Sequence, residues 1–151
     1  MRRKIYKKLL DWKTSSDRKP LILQGARQVG KTYIANIFGA NECANVAYCN
    51  FEQEAKLGSL FNDLQSKNII GKLSNYLKKE IIPHQTLIIF DEIQACPEAL
   101  NSLKYFNETA NEYHIMALGS LLGVSVHREK FSFPVGKIQF LEMYPMDFEE
   151  Y

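Results

Sequence analysis

Apolar residues along this chain alternate between short uninterrupted runs and stretches with helical spacing. The runs Leu21–Leu23 and Leu87–Phe90 contain no polar residue, which is typical of strands buried on both faces by helices, as in a parallel sheet. Residues 137–142 instead alternate between apolar and polar positions, which predicts a further strand. Five strands are predicted in all, at 20–24, 45–51, 87–90, 114–118 and 137–142.

The segments between these strands carry apolar residues at helical intervals. Helices are predicted at 2–13, 33–38, 57–64, 69–77 and 97–110, and another begins at 145. In the first helix Ile5, Leu9 and Trp12 share one face, while Arg and Lys occupy much of the other. We interpret this helix as one that packs its apolar face on the core. The alternative is a contact surface for nucleic acid or for an acidic partner.

The composition is that of a single globular domain. With 151 residues, 46% apolar and 24% charged, the chain is large enough for one core. The formal net charge of +2 argues neither for nor against nucleic-acid binding. No apolar run is long enough to span a bilayer, and the basic N-terminus lacks the apolar segment of a signal peptide. The three cysteines match no paired metal spacing and are interpreted as reduced thiols, so a cytoplasmic location is expected.

The segment Gly25–Thr32 has the glycine and Gly-Lys-Thr spacing of a phosphate-binding P-loop. It lies between a predicted strand and a predicted helix, which is the context that the motif requires. Glycine lets successive backbone N–H groups point at one anion, and the helix N-terminus adds its unpaired N–H groups and its positive dipole end. The residues expected to bind phosphate are Gly25, Ala26, Arg27, Gln28, Val29, Gly30, Lys31 and Thr32.

Side chains suited to nucleotide chemistry stand at two places in this pattern. In the loop, Lys31 is expected to reach the β- and γ-phosphates and the Thr32 hydroxyl to bind Mg²⁺. Asp91 and Glu92 follow the run at 87–90, at the edge where ligands bind in open α/β sheets. We expect Asp91 to hold Mg²⁺ through water and Glu92 to act as general base on the attacking water.

A small polar side chain also follows the predicted strand at 114–118. Ser120 at this strand tip either contacts the γ-phosphate or the attacking water, or simply ends the strand, and the residues alone leave both interpretations open. The strand at 45–51 and the helices after it indicate no obvious chemical role.

Four segments together, GARQVGKT, LIIFDE, ALGSLLG and FPVGKIQFLEMYPMDFEEY, resemble a family of prokaryotic ATPases. It is the group of the AAA superfamily whose members usually carry a second, C-terminal domain of unknown or nuclease-like character. The resemblance extends over the whole chain. It implies an α/β P-loop NTPase fold, a five-stranded parallel sheet in the order 5-1-4-3-2 with helices on both faces, and ATP and Mg²⁺ as ligands.

In that strand order the strand before Ser120 lies between the P-loop strand and the Asp91 strand, so the resemblance makes Ser120 a candidate sensor-1 residue. Members of the family continue with helical lid elements and the C-terminal domain. We therefore expect residues 1–151 to form an AAA-type ATPase core that ends before the lid, with residues 1–19 as N-terminal helix and connector. No arginine finger is identified beyond the candidate Arg128. Slow hydrolysis is expected, because such a finger contributes about 10³–10⁵ in rate.

The leading hypothesis is Mg²⁺-dependent ATP hydrolysis coupled to a conformational change. A nucleotide-gated binding switch with little turnover is the alternative. A P-loop small-molecule kinase is a weaker one, because the loop at 121–134 offers few basic residues for a lid over an acceptor. An unidentified protein partner and an oligomer are compatible with the resemblance. Nucleic acid is compatible with the family and the first helix, although no nucleic-acid motif is present, and no membrane partner is expected.

Overall fold

The computed structural model of the chain describes residues 3–25, 30–63, 65–119 and 138–143. Its α-helices are α1 (Arg3–Thr14), α2 (Lys31–Glu42), α3 (Ser66–Leu77) and α4 (Pro97–Thr109). Its strands are β1 (Leu21–Gln24), β2 (Asn45–Asn50), β3 (Thr86–Asp91), β4 (His114–Gly119) and β5 (Gln139–Glu142). Two 3₁₀ helices, Ala55–Phe61 and Ile93–Ala95, lie in the connections after β2 and β3.

The five strands form one sheet in the order β2-β3-β4-β1-β5, and every neighbouring pair is parallel. Strand β1 occupies an inner position, where Ile22 pairs with Ala117 of β4 on one side and with Phe140 of β5 on the other. All residues of β3 and β4 are buried, as their apolar sequences require in a sheet that is covered on both faces. The observed order is the predicted order 5-1-4-3-2 counted from the opposite edge, so the predicted fold class is confirmed.

Helices cover both faces of this sheet and give a three-layer structure. Successive residues of β3 point to opposite layers, because side chains alternate along a strand. Leu87 and Ile89 lie in the core cluster formed with α1 and α2, whereas Ile88 and Phe90 lie in the cluster formed with α3 and α4. By the same alternation Asp91, the last residue of β3, belongs to the face covered by α2.

The first helix packs on the core as its apolar face predicts. Ile5, Leu9 and Trp12 are buried, while Lys7 and Lys8 are exposed. The helix is also held at its far end, where Trp12 Nε1 donates a hydrogen bond of 2.6 Å to the carbonyl oxygen of Lys19. The predicted N-terminal amphipathic helix is therefore confirmed, and its basic residues Lys4, Lys7 and Lys8 are exposed.

The predicted helix at 57–64 differs from the observed structure. Leu57 and Phe61 are buried as their spacing predicts, but they belong to a 3₁₀ helix that ends at Phe61. The Asp63 carboxylate then accepts a hydrogen bond of 3.0 Å from the backbone N–H of Gln65, a local turn that competes with helix continuation. The predicted helix beginning at 145 lies outside the described residues. In the described ranges, no helix combines the length and the apolar character needed to cross a membrane.

Candidate functional site

Two glycines of the P-loop, Gly25 and Gly30, lie at its junctions with β1 and α2. The N–H of Gly25, directly after β1, donates to the carbonyl oxygen of Gly119 at the end of β4 at 3.2 Å. Gly30 precedes α2 with φ 93° and ψ 19°, a left-handed conformation that glycine adopts without steric penalty. Its carbonyl oxygen accepts a hydrogen bond of 3.0 Å from the N–H of Ile34, in the first turn of α2. The strand predicted before the loop and the helix predicted after it are both present.

The Lys31 side chain turns back towards Gly25, the first residue of the loop. Its Nζ donates to the carbonyl oxygen of Gly25 at 3.1 Å, and the residue is half-buried. The ammonium group is therefore held near the N-terminus of α2, where the helix dipole also places positive charge. The Lys31 ammonium group and the positive end of the α2 dipole together favour binding of an anion at the N-terminus of α2.

The Asp91 carboxylate lies at the centre of the site and is only 3% exposed. Its Oδ2 accepts a hydrogen bond from the Thr32 hydroxyl at 2.7 Å and a second one from the Tyr48 hydroxyl. Its Oδ1 accepts one from the backbone N–H of Glu92 at 2.8 Å. Three donors thus compensate for the removal of this carboxylate from water. The structure brings Thr32 into contact with Asp91, two of the residues predicted from sequence, and Lys31 adjoins Thr32 in the chain.

The Tyr48 hydroxyl is a member of this group that the sequence does not indicate. Strands β2 and β3 pair Tyr48 with Ile89 and Asn50 with Asp91, so that the phenol reaches Asp91 along the diagonal of the sheet. Burial, together with the hydrogen bond to Asp91, raises the pKa of Tyr48 to about 12. The phenol therefore keeps its proton at neutral pH and acts as a donor. Strand β2, which the sequence left without a chemical role, supplies this contact.

Glu92 follows β3 in an unusual backbone conformation. Its φ of 55° and ψ of 49° lie in the left-handed region, which is uncommon for a residue with a side chain and is concentrated at functional sites. The half-buried side chain accepts a hydrogen bond of 2.6 Å from Gln94 Nε2. The Oε1 of Gln94 is buried and has no hydrogen-bond partner in the described part of the chain. Glu92 is thus held at the edge of the sheet beside Asp91.

Several predicted site residues lie outside the described ranges. These are Ala26, Arg27, Gln28 and Val29 of the loop, together with Ser120 and the candidate Arg128. Gly119, the residue before Ser120, ends β4 between β1 and β3.

The sequence matches the AAA domain family over residues 17–151, so the chain belongs to this family. Helix α1 precedes the matched residues. Together the family and the fold define an AAA-type P-loop ATPase core. No curated protein sequence matches the chain.

Two solved structures are similar in fold. One is the Orc1 protein of Aeropyrum pernix in complex with DNA, with a TM-score of 0.57 and 13% identity, over 94% of this chain and 43% of that chain. The other is a variant of RuvB from Thermotoga maritima, with a TM-score of 0.50 and 17% identity, over 97% of this chain and 47% of that chain. At these identities the likeness is one of fold. The chain spans less than half the length of either protein.

Proposed function

We propose that this chain binds ATP together with Mg²⁺ and hydrolyses it, and that hydrolysis is coupled to a conformational change. The observation that carries the proposal is the hydrogen bond of 2.7 Å from Thr32 Oγ1 to Asp91 Oδ2, at the start of the helix that follows the P-loop. A hydroxyl and a carboxylate are the hard oxygen ligands that Mg²⁺ prefers. The donor set present in the chain therefore fits this metal, with Thr32 as a direct ligand and Asp91 acting through water.

The phosphates are proposed to bind at the loop Gly25–Thr32. The left-handed Gly30 supports this role, because it directs the chain into α2, whose N-terminal N–H groups come directly after it. Lys31 exchanges its contact to the Gly25 carbonyl oxygen for phosphate oxygens, a modest rearrangement for a flexible side chain that already reaches the start of the loop. When bound, Mg²⁺ neutralises negative charge on the phosphates.

Glu92 is proposed as the general base that polarises the attacking water. Its support is positional, because it follows Asp91 at the carboxyl edge of the sheet and is held there by Gln94. Ser120, which follows β4 in the sequence, is proposed to contact the γ-phosphate or the attacking water. Both roles require the nucleotide to lie along the edge formed by β1, β3 and β4, where ligands bind in open α/β sheets.

Efficient turnover is proposed to need groups beyond those described. Arg128 is the candidate for an arginine finger in this chain, and an oligomer would provide another source of one. We also propose a cytoplasmic location, which is supported by three free thiols, two of them buried. A protein partner is proposed as the recipient of the conformational change. The DNA in the Orc1 structure makes nucleic acid a second candidate for that partner.

The proposal is tested by the binding of a fluorescent ATP analogue to the wild-type chain and to Lys31→Ala, with and without Mg²⁺. We expect measurable affinity in the wild type, tighter binding with Mg²⁺, and a loss of at least about tenfold in the variant, because a charge-assisted contact to phosphate is removed. Lys79→Ala is the matched control, since it removes an exposed lysine bonded to a backbone carbonyl oxygen on β2. Equal affinity of the wild type and Lys31→Ala would contradict the proposal.

A further inference from the structure

We propose that Tyr48 is a positioning residue that fixes the orientation of the Asp91 carboxylate and thereby sets the affinity of the site for Mg²⁺. This inference rests on the proposed function, because it takes Asp91 as part of the magnesium site. Tyr48 does not itself contact the metal. It acts through Asp91, to which its hydroxyl donates a hydrogen bond.

The hydrogen bonds of Asp91 define how this works. A carboxylate oxygen has two lone pairs, and both lone pairs of Oδ2 are engaged, one by the Thr32 hydroxyl and one by the Tyr48 hydroxyl. One lone pair of Oδ1 is engaged by the backbone N–H of Glu92. Among the described residues no donor engages the second lone pair of Oδ1, so one acceptor position remains there. Tyr48 therefore decides which carboxylate oxygen is available to a metal-bound water.

The phenol is itself held in place from the far side. Asn50 Nδ2 donates to the Tyr48 oxygen at 3.3 Å, so the phenol oxygen accepts one hydrogen bond and donates another. The Asn50 side-chain oxygen in turn accepts hydrogen bonds of 3.0 Å from the backbone N–H groups of Glu52 and Gln53. The turn after β2 is thus linked to Asp91 through Asn50 and Tyr48. This series of hydrogen bonds fixes the position of the phenol and of the carboxylate, and it carries no net charge to Asp91.

We expect removal of the Tyr48 hydroxyl to leave the fold intact but to let the Asp91 carboxylate rotate. In Tyr48→Phe we expect the half-buried ring to stay packed against the core cluster beside α2, and Asp91 keeps its hydrogen bonds from Thr32 and Glu92, so that the carboxylate remains hydrogen-bonded. The last side-chain torsion of aspartate has a broad, roughly two-fold preference, so the freed carboxylate can rotate. Because partners that orient metal ligands contribute about 10–100-fold to metal affinity, we expect a loss at the lower end of that range, about tenfold.

The test is a titration of Mg²⁺ into the chain at a fixed concentration of fluorescent ATP analogue. For Tyr48→Phe we expect the half-saturating Mg²⁺ concentration to rise about tenfold, with metal-free nucleotide affinity within about twofold of the wild type. The electron paramagnetic resonance spectrum of Mn²⁺ at the site should broaden, because its surroundings become heterogeneous. Tyr6→Phe is the matched control, since Tyr6 also donates to a carboxylate, Glu42, on the far end of α2.

The results separate this inference from the proposed function. If the wild type shows Mg²⁺-dependent binding and Tyr48→Phe has the same half-saturating concentration, the role of Tyr48 is wrong and the site stands. If the wild type shows no Mg²⁺ dependence, the magnesium site itself is wrong. Asn50→Ala decides the matter if Tyr48→Phe does not fold, because it removes the support of the phenol. It should shift the Mg²⁺ titration in the same direction by a smaller factor, and an unshifted titration would overturn the inference.

Discussion

Thr32 and Asp91 are 59 positions apart in the sequence, yet the hydroxyl of one donates to the carboxylate of the other at 2.7 Å. This contact joins the N-terminus of α2 to the end of β3, although the two lie in different layers. It exists because β3 presents Asp91 on the face that α2 covers. The hydrogen of the Thr32 hydroxyl points at Asp91, so the lone pairs of that oxygen remain available to a metal.

Replacement of Thr32 by Ala should remove the effect of Mg²⁺ on nucleotide binding. The hydroxyl proposed as a metal ligand is lost, so the gain in affinity produced by Mg²⁺ should fall by at least about tenfold. Metal-free binding should change by less than about twofold, because the backbone N–H groups of the loop and Lys31 are kept. Thr32→Ser retains the hydroxyl and should behave as the wild type. A Thr32→Ala variant that still responds fully to Mg²⁺ would exclude Thr32 as a ligand. Fluorescence titrations with and without Mg²⁺ measure the two nucleotide affinities.

Replacement of Glu92 by Gln should separate hydrolysis from binding. The amide has almost the same shape and can still accept the hydrogen bond from Gln94, but it cannot take up a proton from water. We expect phosphate release to fall by about 10²–10⁴-fold, which is the usual contribution of a general base, with nucleotide affinity unchanged.

The same variant distinguishes the ATPase from a nucleotide-gated switch. If turnover is the function, a partner response should be altered in Glu92→Gln, whereas a switch that depends only on occupancy should respond as the wild type does. Exposed Glu80 provides the control variant, Glu80→Gln. A wild-type rate of phosphate release in Glu92→Gln would remove Glu92 from the chemistry.

Two helical glycines should respond oppositely to alanine. A Cβ built at Gly39, in α2, would overlap Val46 Cγ2 and would lie 3.1 Å from Leu87 Cδ2, because α2 packs closely on β2 and β3 there. The overlap costs about 1–3 kcal/mol, which outweighs the gain of about 1 kcal/mol in helix propensity. Gly39→Ala should therefore lower the free energy of unfolding by about 1 kcal/mol.

Gly71, in the middle of α3, is the matched control for this packing argument. It is exposed, and a Cβ built there meets nothing within 4 Å. Gly71→Ala should therefore raise the free energy of unfolding by up to about 1 kcal/mol. Urea unfolding of both variants measures the difference. Equal stabilisation by the two substitutions would show that α2 does not approach the sheet as closely as the structure indicates.

The parts of the site that depend on local sequence could be predicted. The loop Gly25–Thr32 and the acidic residues after Leu87–Phe90 are each contiguous in the sequence. The strand or helix that each of them needs beside it is also adjacent in the sequence. The strand order is not local. It followed from the family resemblance, because the apolar runs at 87–90 and 114–118 are equally compatible with several positions in a sheet.

The parts that depend on packing between elements could not be predicted. Tyr48 reaches Asp91 only because β2 is the neighbour of β3 and pairs in one particular register. In the sequence, Tyr48 is an aromatic residue in a strand, where aromatic residues are common for packing reasons alone. The one available signal was that Tyr48 and Asn50 are polar, share a face and stand near the carboxyl end of their strand. Similarly, the left-handed backbone of Glu92 has no sequence signature, since the residue is not glycine or asparagine.

His114, at the start of β4, should make stability depend on pH below neutrality. The side chain is 6% exposed, and its Nδ1 has no hydrogen-bond partner among the described residues. Burial, and then the positive charges of Arg18, Lys13 and His84, lower the pKa of His114 from 6.5 to about 4. The folded chain therefore keeps this imidazole neutral at a pH where the unfolded chain protonates it.

The sign of the effect follows from the two pKa values of His114. Its contribution is fully present above pH 6.5, is lost progressively as the pH falls from 6.5 towards 4, and changes little below that. Since one pKa unit corresponds to about 1.4 kcal/mol, the full loss is on the order of 3 kcal/mol. His114→Phe should remove this pH-dependent contribution. The free energy of unfolding of the variant should therefore fall less than that of the wild type between pH 7 and 4.5. His84→Gln, at an exposed position, should retain most of it. Parallel pH profiles for the wild type and His114→Phe would show that His114 is not the group responsible. Urea unfolding at a series of pH values makes the comparison, with Trp12 as the intrinsic fluorophore, because the Trp12 ring lies 6.2 Å from the ring of His114.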